Sequence, residues 1–262
     1  MADPRVLTQT SDGVAVIALA RPDKLNAFTA AMHADLRRAL DGAEGDANVR
    51  CIVLTGEGRA FSSGQDLTEA WPSGEGGIDL GIALDRDYNP LVERLYACPK
   101  VTIAALNGPA VGASANIALA CDIVVAARSA YLQEAFARIA LIPDAGGTWF
   151  LPRIVGPKRA LALMLTADQV SADEAERMGL VYKVFDDATF MADTMALAKR
   201  LAAGPAGTFR LIKQAVRASA ANDYRSQLAL ERDLQREAGF GRDFHEGVAA
   251  FREKRPPQFT GR

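Results

Sequence analysis

Residues 101–121 contain no charged side chain, and this stretch constrains the fold more than any other part of the chain. It is long enough to cross a bilayer as a single apolar helix. Asn107-Gly-Pro109 and Asn116 interrupt it, however, and such residues favour turns and polar contacts over an unbroken membrane helix. The pattern therefore predicts a buried strand over 101–105, a turn, and a buried helix over about 112–120, with no membrane span.

Short apolar strands alternate with helices around this stretch. Thr29 is typical of an N-cap, and it precedes a helix with His33 on its expected exposed face. The apolar stripe of that helix is Met32, Leu36, Ala39 and Leu40. The other predicted elements are strands over 14–19, 51–55 and 123–127 and a helix over 90–96. Strand, helix and strand at short spacing predict the α/β class, with mostly parallel strands and right-handed crossovers.

The second half of the chain is richer in helices. Residues 171–174 have the spacing of a capping box before a short helix that ends at Gly179, and residues 180–184 predict a last strand. Several helices follow, separated by Gly, Pro and Asn. We therefore predict a core over residues 1–200 and a helical region over residues 201–262 that covers the core or makes subunit contacts.

Composition and charge exclude several classes of partner. The chain has 262 residues, of which 49% are hydrophobic and 24% charged, which is typical of a globular protein. Its 30 basic and 32 acidic residues give a net charge of −2, so nothing in the overall charge favours nucleic acid. Cys51, Cys98 and Cys121 lie in apolar contexts and predict buried free thiols in a reducing compartment. No signal-peptide pattern occurs at the start, and we expect a cytoplasmic protein.

Common cofactor and nucleophile motifs are missing from the sequence. Residues 56–61 begin like a dinucleotide-binding loop, but the sixth position is Phe61 rather than Gly. No phosphate-binding Gly-Lys-Ser/Thr loop occurs. The two histidines, His33 and His245, lie far apart in sequence without a nucleophile elbow, which argues against a triad or a histidine metal site. We therefore expect chemistry by carboxylates and backbone, with no metal and no separate cofactor.

Two loops of small residues and one acid are the candidates for that chemistry. Residues 60–66 and 107–115 each follow an apolar run and allow backbone N–H groups to approach a ligand oxygen. Asp144 stands among apolar and small residues, which suits a carboxylate that moves protons. Taken from spacing alone, both loops are equally consistent with tight turns, and Asp144 is equally consistent with a helix N-cap.

These motifs, taken together and in order, resemble the enoyl-CoA hydratase/isomerase (crotonase) superfamily. The likeness covers nearly the whole chain. The segments that carry it are Arg21-Pro-Asp-Lys-Leu-Asn-Ala27, Ala60-Phe-Ser-Ser-Gly-Gln-Asp-Leu67, Asn107-Gly108 through Cys121-Asp122, Ile142-Pro-Asp-Ala-Gly-Gly-Thr148 and Gly247-Val-Ala-Ala-Phe-Arg-Glu-Lys-Arg255. Within the superfamily, residues 118–129 and 141–149 and the ending Gln258-Phe-Thr-Gly261 most resemble the phenylacetate-pathway isomerases, which convert the ring epoxide of phenylacetyl-CoA into an oxepin.

The resemblance implies a fold and an oxyanion site. The fold is a spiral of β-β-α turns followed by a helical trimerisation region, with trimers often paired into hexamers. The backbone N–H groups of Gln65 and Ala113 would hold the thioester oxygen, and the family often has Gly at the second position. The resemblance also favours Asp144 as the proton-transferring base over its interpretation as an N-cap.

The pattern of acids departs from that of the hydratases in the superfamily. Those enzymes use two glutamates, whereas alignment puts Asn116 and Phe136 at the two positions. Neither residue exchanges a proton near neutral pH. Asn116 would position the substrate and Phe136 would supply an apolar wall. Glu134 is out of register with the second position, and its contribution is left open.

Contacts to coenzyme A are implied by the resemblance. A cation suits phosphate and an aromatic ring suits adenine, but the lysines are also consistent with solvated surface charges. Asp66 is likewise consistent with an N-cap. The expected contacts are Lys24, Leu25, Ala27, Ser63, Asp66 and Leu67, with Phe251 and Lys254 reaching in from a neighbouring subunit.

The expected function is an acyl-CoA isomerase that works through a thioester enolate. Alternatives are an enoyl-CoA hydratase, a linear enoyl-CoA isomerase, and a non-catalytic acyl-CoA-binding or RNA-associated protein. The acyl group is left open because its pocket wall depends on residues 71–88. Residues 67–87 are rich in Gly and Asp, and we expect them to contain a mobile loop.

Overall fold

A computed structural model describes residues 4–70, 73–74 and 77–261 of the chain. The strands are β1 (Val6–Ser11), β2 (Val14–Leu19), β3 (Cys51–Gly56), β4 (Ser73–Gly74), β5 (Gly77–Ile78), β6 (Val101–Leu106), β7 (Ala110–Val111), β8 (Ile123–Ala127), β9 (Tyr131–Gln133), β10 (Gln169–Ser171) and β11 (Lys183–Phe185). The α-helices are α1 (Ala30–Gly45), α2 (Leu80–Ala83), α3 (Asn89–Ala97), α4 (Ala113–Leu119), α5 (Gly147–Val155), α6 (Pro157–Thr166), α7 (Ala172–Met178), α8 (Phe190–Ala202), α9 (Ala206–Ala218), α10 (Tyr224–Phe240) and α11 (Arg242–Glu253).

A six-stranded sheet in the order β1-β2-β3-β6-β8-β11 forms the centre of the molecule. β1 and β2 pair antiparallel, and every later neighbour in the sheet pairs parallel. Helices connect the parallel strands, as such connections require. The residues of β6 are all buried, which explains its continuous apolar sequence.

A smaller sheet, ordered β10-β9-β7, lies at the point where the chain turns from β6 into α4. β7 pairs parallel to β9, and a single bridge joins Ala110 to Ser62 in the preceding loop. A second bridge joins Gln65 to Phe28. These short pairings bring the two loops of small residues to one edge of the fold.

Most of the predicted elements are confirmed. The Thr29 hydroxyl accepts from the Met32 N–H at the start of α1, and the Ser171 hydroxyl accepts from the Glu174 N–H at the start of α7. The three cysteines are buried free thiols, and burial raises the pKa of Cys51 to about 12. The last strand begins three residues later than predicted, at Lys183.

The sequence did not predict three features of the fold. β1 is absent from the prediction because all but the first of its six residues are exposed. α5 and α6, which follow Asp144, are likewise absent from it. The expected loop over 67–87 instead contains the β4–β5 pair, α2 and a π-helical turn over Leu84–Tyr88. Trp71, part of the expected pocket wall, lies outside the described residues.

The prediction that His33 lies on an exposed face is wrong. Its side chain is 1% exposed and stacks on Phe28 at 4.8 Å, with the ring of Tyr88 edge-on at 4.3 Å. His33 lies three residues before Leu36 and therefore on the same face of α1 as the apolar stripe. Residues 84–97 cover that face. Neither ring nitrogen has a hydrogen-bond partner among the described residues. Burial lowers the pKa of His33 to about 4, so the ring is neutral.

The C-terminal helices differ in how they pack. α8 packs against strands of the central sheet, and its Leu197 and Ala198 belong to the core. α9 to α11 expose large apolar side chains, which are Ile212, Val216, Tyr224, Leu228, Phe240, Phe244 and Phe251. The division at residue 200 stays a prediction. No helix in the described part of the chain is long and apolar enough to cross a membrane.

We expect His33→Phe to remove part of the acid sensitivity of the fold. The folded-state pKa of about 4 is below the unfolded value of 6.5, so the unfolded chain binds more protons between these pH values. The resulting stability is fully present above pH 6.5 and is lost as the pH falls to 4, by up to about 3 kcal/mol. Urea unfolding at pH 7 and at pH 4.5 measures the difference. The exposed His245→Phe serves as the control, and equal acid sensitivity in His33→Phe and the native chain would contradict the expectation.

Candidate active site

One cavity brings together six of the predicted site residues. Its volume is about 300 Å³, and the lining is mostly apolar. It lies where the loop after β3, the start of α4, the turn after β9 and the turn before α5 meet. The predicted residues in its lining are Ser63, Gln65, Leu67, Ala113, Phe136 and Asp144.

The first loop is fixed by hydrogen bonds on both sides of Gln65. The Phe28 N–H donates to the Gly64 carbonyl at 2.7 Å, and the Asp66 N–H donates to the Phe28 carbonyl at 2.9 Å. Gly64 has a φ of +90°, and a Cβ there would lie 2.8 Å from the Val111 carbonyl oxygen. These constraints leave the Gln65 N–H without an acceptor among the described residues.

The second loop ends in another backbone conformation that requires glycine. Gly112 has φ +59° and ψ −132°, and α4 begins at the next residue, Ala113. The first N–H of a helix has no partner within the helix, and the Ala113 N–H has no other acceptor among the described residues. A Cβ on Gly64 would lie 3.9 Å from the Ala113 nitrogen, which shows how closely the two loops approach. Two unpaired backbone donors therefore lie at one end of the cavity.

Asp144 is held by its backbone while its carboxylate is left unpaired. The Asp144 carbonyl accepts from the Asn116 side-chain amide at 2.9 Å and from the Gly147 N–H at 2.8 Å. Its Oδ1 atom is buried and has no hydrogen-bond partner in the described structure. Burial raises the pKa of this carboxyl from 3.8 to about 6. A carboxylate with this pKa can accept a proton near neutral pH and return it.

Asp144 is not a helix N-cap. α5 begins at Gly147, its N-cap residue is Gly146, and no side chain makes a capping hydrogen bond. Ala145 and Gly146 both have positive φ, at 48° and 83°, and they turn the chain away from the cavity after Asp144. The structure therefore removes the interpretation that competed with a catalytic role.

Asn116 and Glu134 lie behind Asp144 rather than in the cavity lining. Asn116 is fully buried, and its amide donates to the Asp144 carbonyl and, at 3.4 Å, to the Glu134 carboxylate. A Cβ on Gly147 would lie 2.3 Å from the Asn116 amide nitrogen, so this contact requires glycine there. In the structure Asn116 supports the Asp144 turn, and its expected contact with substrate stays a prediction.

Glu134 is closer to the site than its sequence register indicated. Its side chain is 7% exposed and borders a separate cavity of about 20 Å³, which Asn116 does not line. The pKa of Glu134 is raised to about 7, mainly by burial and to a smaller extent by the charge of Asp144, while the hydrogen bond from Asn116 opposes the rise. Glu134 is therefore joined to the site through Asn116, without lining the main cavity.

Comparison with known proteins identifies the family of this site. The family model for enoyl-CoA hydratase/isomerase matches residues 9–262. The chain belongs to that family. Family members include a probable enoyl-CoA hydratase from Rhodobacter capsulatus, 50% identical with 97% of each chain covered. They also include the 1,2-epoxyphenylacetyl-CoA isomerase of Escherichia coli, 47% identical with 98% of each chain covered.

Solved structures of the family confirm the crotonase-like α/β fold. The crystal structure of enoyl-CoA hydratase from Bacillus anthracis is 31% identical and superposes with a TM-score of 0.90. The match covers 98% of this chain and 100% of that one. The predicted superfamily and fold class are therefore confirmed, whereas the predicted roles of individual residues stay predictions.

The residues expected near coenzyme A form two groups. Lys24, Leu25 and Ala27 lie beside the first loop, where the Ser63 N–H donates to the Leu25 carbonyl at 2.9 Å. Asp66 is committed within the protein, because its carboxylate accepts from Arg21 at 2.9 Å and from Thr68. These bonds lower the pKa of Asp66 to about 2. The bonds of Asp66 with Arg21 and Thr68 hold the first loop in place.

Phe251 and Lys254 lie away from the cavity of their own chain. Phe251 is 85% exposed near the end of α11, and Lys254 ends that helix with a φ of +55°. Neither side chain lines the cavity. Their expected contact with nucleotide in a neighbouring subunit therefore stays a prediction.

Two residues that support the site escaped the sequence reasoning. Asn26 is fully buried with φ +55°, and its side chain bonds the Arg21 N–H and the carbonyls of Glu57 and Ala60. Tyr88 lines the cavity, and its hydroxyl donates to the Gln65 side-chain carbonyl at 2.6 Å. The sequence does not indicate these roles, because an Asn in a loop and a Tyr in a Gly-rich stretch are recognised as site residues only from their tertiary contacts.

We expect Gly112→Ala to lower activity more than its cost in stability explains. The substituted Cβ has room, since its nearest neighbour is the Phe136 ring at 3.9 Å, so the strain is in the backbone and displaces the Ala113 N–H. Such strain costs about 1–3 kcal/mol. Gly156→Ala is a matched control, because Gly156 also has a positive φ, at +80°, and lies outside the cavity. Thermal unfolding and steady-state kinetics of both variants make the test. Equal kcat in the two variants would remove the second loop from the site.

Proposed function

We propose that this protein is an acyl-CoA isomerase that acts through a thioester enolate. Its proposed substrate is 1,2-epoxyphenylacetyl-CoA, converted to the oxepin thioester in phenylacetate degradation, and it also shifts double bonds in enoyl-CoA esters. The observation that carries this proposal is a largely buried carboxyl group, Asp144, whose Oδ1 has no hydrogen-bond partner among the described residues. The same cavity is lined by Gln65 and Ala113, whose N–H groups have no acceptor in that part of the chain. The E. coli isomerase relative is consistent with it.

The proposed reaction moves one proton and keeps all atoms. The Asp144 carboxylate removes the proton from the carbon next to the thioester carbonyl, and the electron pair moves onto the carbonyl oxygen. The N–H groups of Gln65 and Ala113 hold that oxyanion, each by about 2.7–4 kcal/mol if they match measured oxyanion holes. As the enolate collapses, the epoxide ring opens into the seven-membered ring, and protonated Asp144 returns the proton to a ring carbon. Substrate and product are therefore isomers.

The composition of the cavity supports isomerisation over hydration. Adding water across a double bond benefits from a separate acid and base, but Phe136 occupies one of the two family positions and Asn116 the other. Glu134 has a raised pKa but borders the small separate cavity rather than the main one. Hydration is the second candidate, since a relative of similar identity is a probable enoyl-CoA hydratase. Access of water to Glu134 through that small cavity would favour hydration.

The proposal extends to assembly and location. The exposed apolar side chains of α9 to α11 form a surface suited to a homotrimer, or to a hexamer of two trimers. Phe251 and Lys254 would then reach a neighbouring subunit's nucleotide. Coenzyme A enters as part of the substrate, so we propose no separate cofactor, no metal and no nucleic acid partner. Buried free thiols support a cytoplasmic location.

We expect Asp144→Asn to abolish exchange at the α carbon. The amide cannot accept the proton, and loss of a general base lowers the rate about 10²–10⁴-fold. The measurement is deuterium uptake by phenylacetyl-CoA in deuterated water, followed by NMR. Asp12→Asn, in a surface ion pair with Lys199, is the control and keeps the native rate.

The same assay separates the competing functions. Exchange at the native rate in Asp144→Asn would exclude Asp144 as the base. Rapid formation of a water adduct from a short enoyl-CoA would replace isomerase with hydratase. Binding of phenylacetyl-CoA with no exchange and no turnover of any ester would indicate a non-catalytic acyl-CoA-binding protein.

We expect kcat/KM to fall below about pH 6 as Asp144 is protonated. Its pKa is raised to about 6, and only the ionised form accepts the α proton. Below that value kcat/KM decreases about tenfold per pH unit, because the fraction of ionised base decreases in proportion. A pH profile of kcat/KM for the epoxide thioester tests this. An acid limb centred near pH 4, the ordinary value for aspartate, would show that Asp144 is not buried when the free enzyme acts.

A further inference from the structure

Residues 80–88 cover one wall of the cavity through α2 and the π-helical turn. Four of their side chains reach the cavity, namely Leu80, Ala83, Leu84 and Tyr88. Only Tyr88 among these four carries a polar group. It is the last residue of the π-helical turn, and such turns often occur at functional sites because they redirect a side chain.

The Tyr88 hydroxyl is joined directly to the loop that carries the first oxyanion donor. It donates to Oε1 of Gln65 at 2.6 Å. The other end of the same amide, Nε2, donates to the Glu69 carboxylate at 3.3 Å. Glu69 in turn accepts from the N–H of Ala30, the first residue of α1, at 3.1 Å. The Gln65 side chain is thus held at both ends, between the covering segment and the start of α1.

The ring of Tyr88 is itself fixed in place. It is 4% exposed and packs against the buried His33 at 4.3 Å and against Phe28 at 6.2 Å. The backbone of Phe28 bonds both sides of Gln65. Burial raises the pKa of Tyr88 well above its ordinary value, so the hydroxyl keeps its proton and remains a donor. A hydroxyl has a single proton, and here it is committed to Gln65.

We propose that Tyr88 is a positioning residue that acts through Gln65. Its hydroxyl fixes the Gln65 side chain and thereby aims the Gln65 N–H at the thioester oxygen, so that the segment covering the acyl group and the oxyanion donor are held in one arrangement. This inference rests on the proposed function of the Gln65 N–H. It differs from a direct role for Tyr88, in which the same proton would be donated to the substrate.

A double-mutant cycle between Tyr88 and Gln65 separates these two roles. Tyr88→Phe removes the hydroxyl, and Gln65→Met removes its acceptor while retaining the backbone N–H. Each single variant is expected to lower kcat about 5- to 20-fold with less than a twofold change in KM. If Tyr88 acts through Gln65, the double variant is no slower than the slower single variant. Multiplied losses in the double variant would show that Tyr88 acts on the substrate directly and would overturn the proposal.

A measurement that needs no turnover tests the same bond. The carbonyl stretch of phenylacetyl-CoA, labelled with ¹³C at the thioester carbon, is recorded by infrared difference spectroscopy in the bound and free states. The bound ester in the native protein is expected at lower frequency than the free ester, because two N–H groups polarise the carbonyl. Tyr88→Phe returns the band part of the way toward the free value.

The control is Tyr96→Phe, which removes a hydroxyl from α3 at a residue whose ring packs on Trp149 outside this cavity. It should keep both the native band and the native kcat. If the native protein shifts the band clearly and Tyr88→Phe shifts it equally, the proposed role of Tyr88 is refuted and the oxyanion site is not. A native protein that binds the ester without any shift would refute the oxyanion site itself, and with it both proposals.

Discussion

The close approach of two backbone loops is the constraint on which the site depends. Gly64 lies so near the Val111 carbonyl that a side chain there would overlap it, and Ser62 pairs with the backbone beside Ala110. The bonds that hold this contact use the N–H and carbonyl of Ser62, the Val111 N–H and the Ser114 hydroxyl, and they use neither the N–H of Gln65 nor that of Ala113. The contact between the loops therefore stabilises the fold and leaves the N–H groups of Gln65 and Ala113 without acceptors among the described residues. A pair of fixed, unpaired donors is preorganised for a developing oxyanion.

Burial of an unpaired acid is the second physical feature of the site. An ionised carboxylate without partners is costly in apolar surroundings, so its pKa rises. In Asp144 that cost is tolerated because the backbone of the turn is firmly bonded by Asn116 and Gly147. The acid and the two donors come from separate parts of the chain, and the smaller sheet brings them together. The family membership of the chain and this geometry point to the same thioester chemistry.

The residues around the site are the basis on which we propose isomerisation rather than hydration. Asn116 and Phe136 replace the pair of acids, and Glu134 is set back behind Asn116. Tyr88 and His33 form a buried aromatic contact that closes the cavity on the side of α1. These side chains set the shape and the single-acid character of the cavity, on which the choice between isomerisation and hydration depends.

The sequence by itself determined the α/β class, most strands and helices, the family, and the positions of Gln65, Ala113 and Asp144. Apolar runs, capping residues and glycines act over a few neighbouring residues and so indicate the class and the elements, whereas the family and the three site residues follow from the resemblance of the motifs. Tertiary structure alone decided that His33 is buried, that Asp144 is no cap, and that Glu134 and Tyr88 reach the site. Three of these outcomes depend on elements distant in sequence. The π-helical turn packs over α1 and buries His33, Asn116 of α4 bonds Glu134, and the Gln65 loop accepts from Tyr88. Asp144 is no cap because Ala145 and Gly146, both with positive φ, separate it from the start of α5. Local patterns carry no information about which distant surface will cover a side chain, and burial is what sets its charge and its hydrogen bonds.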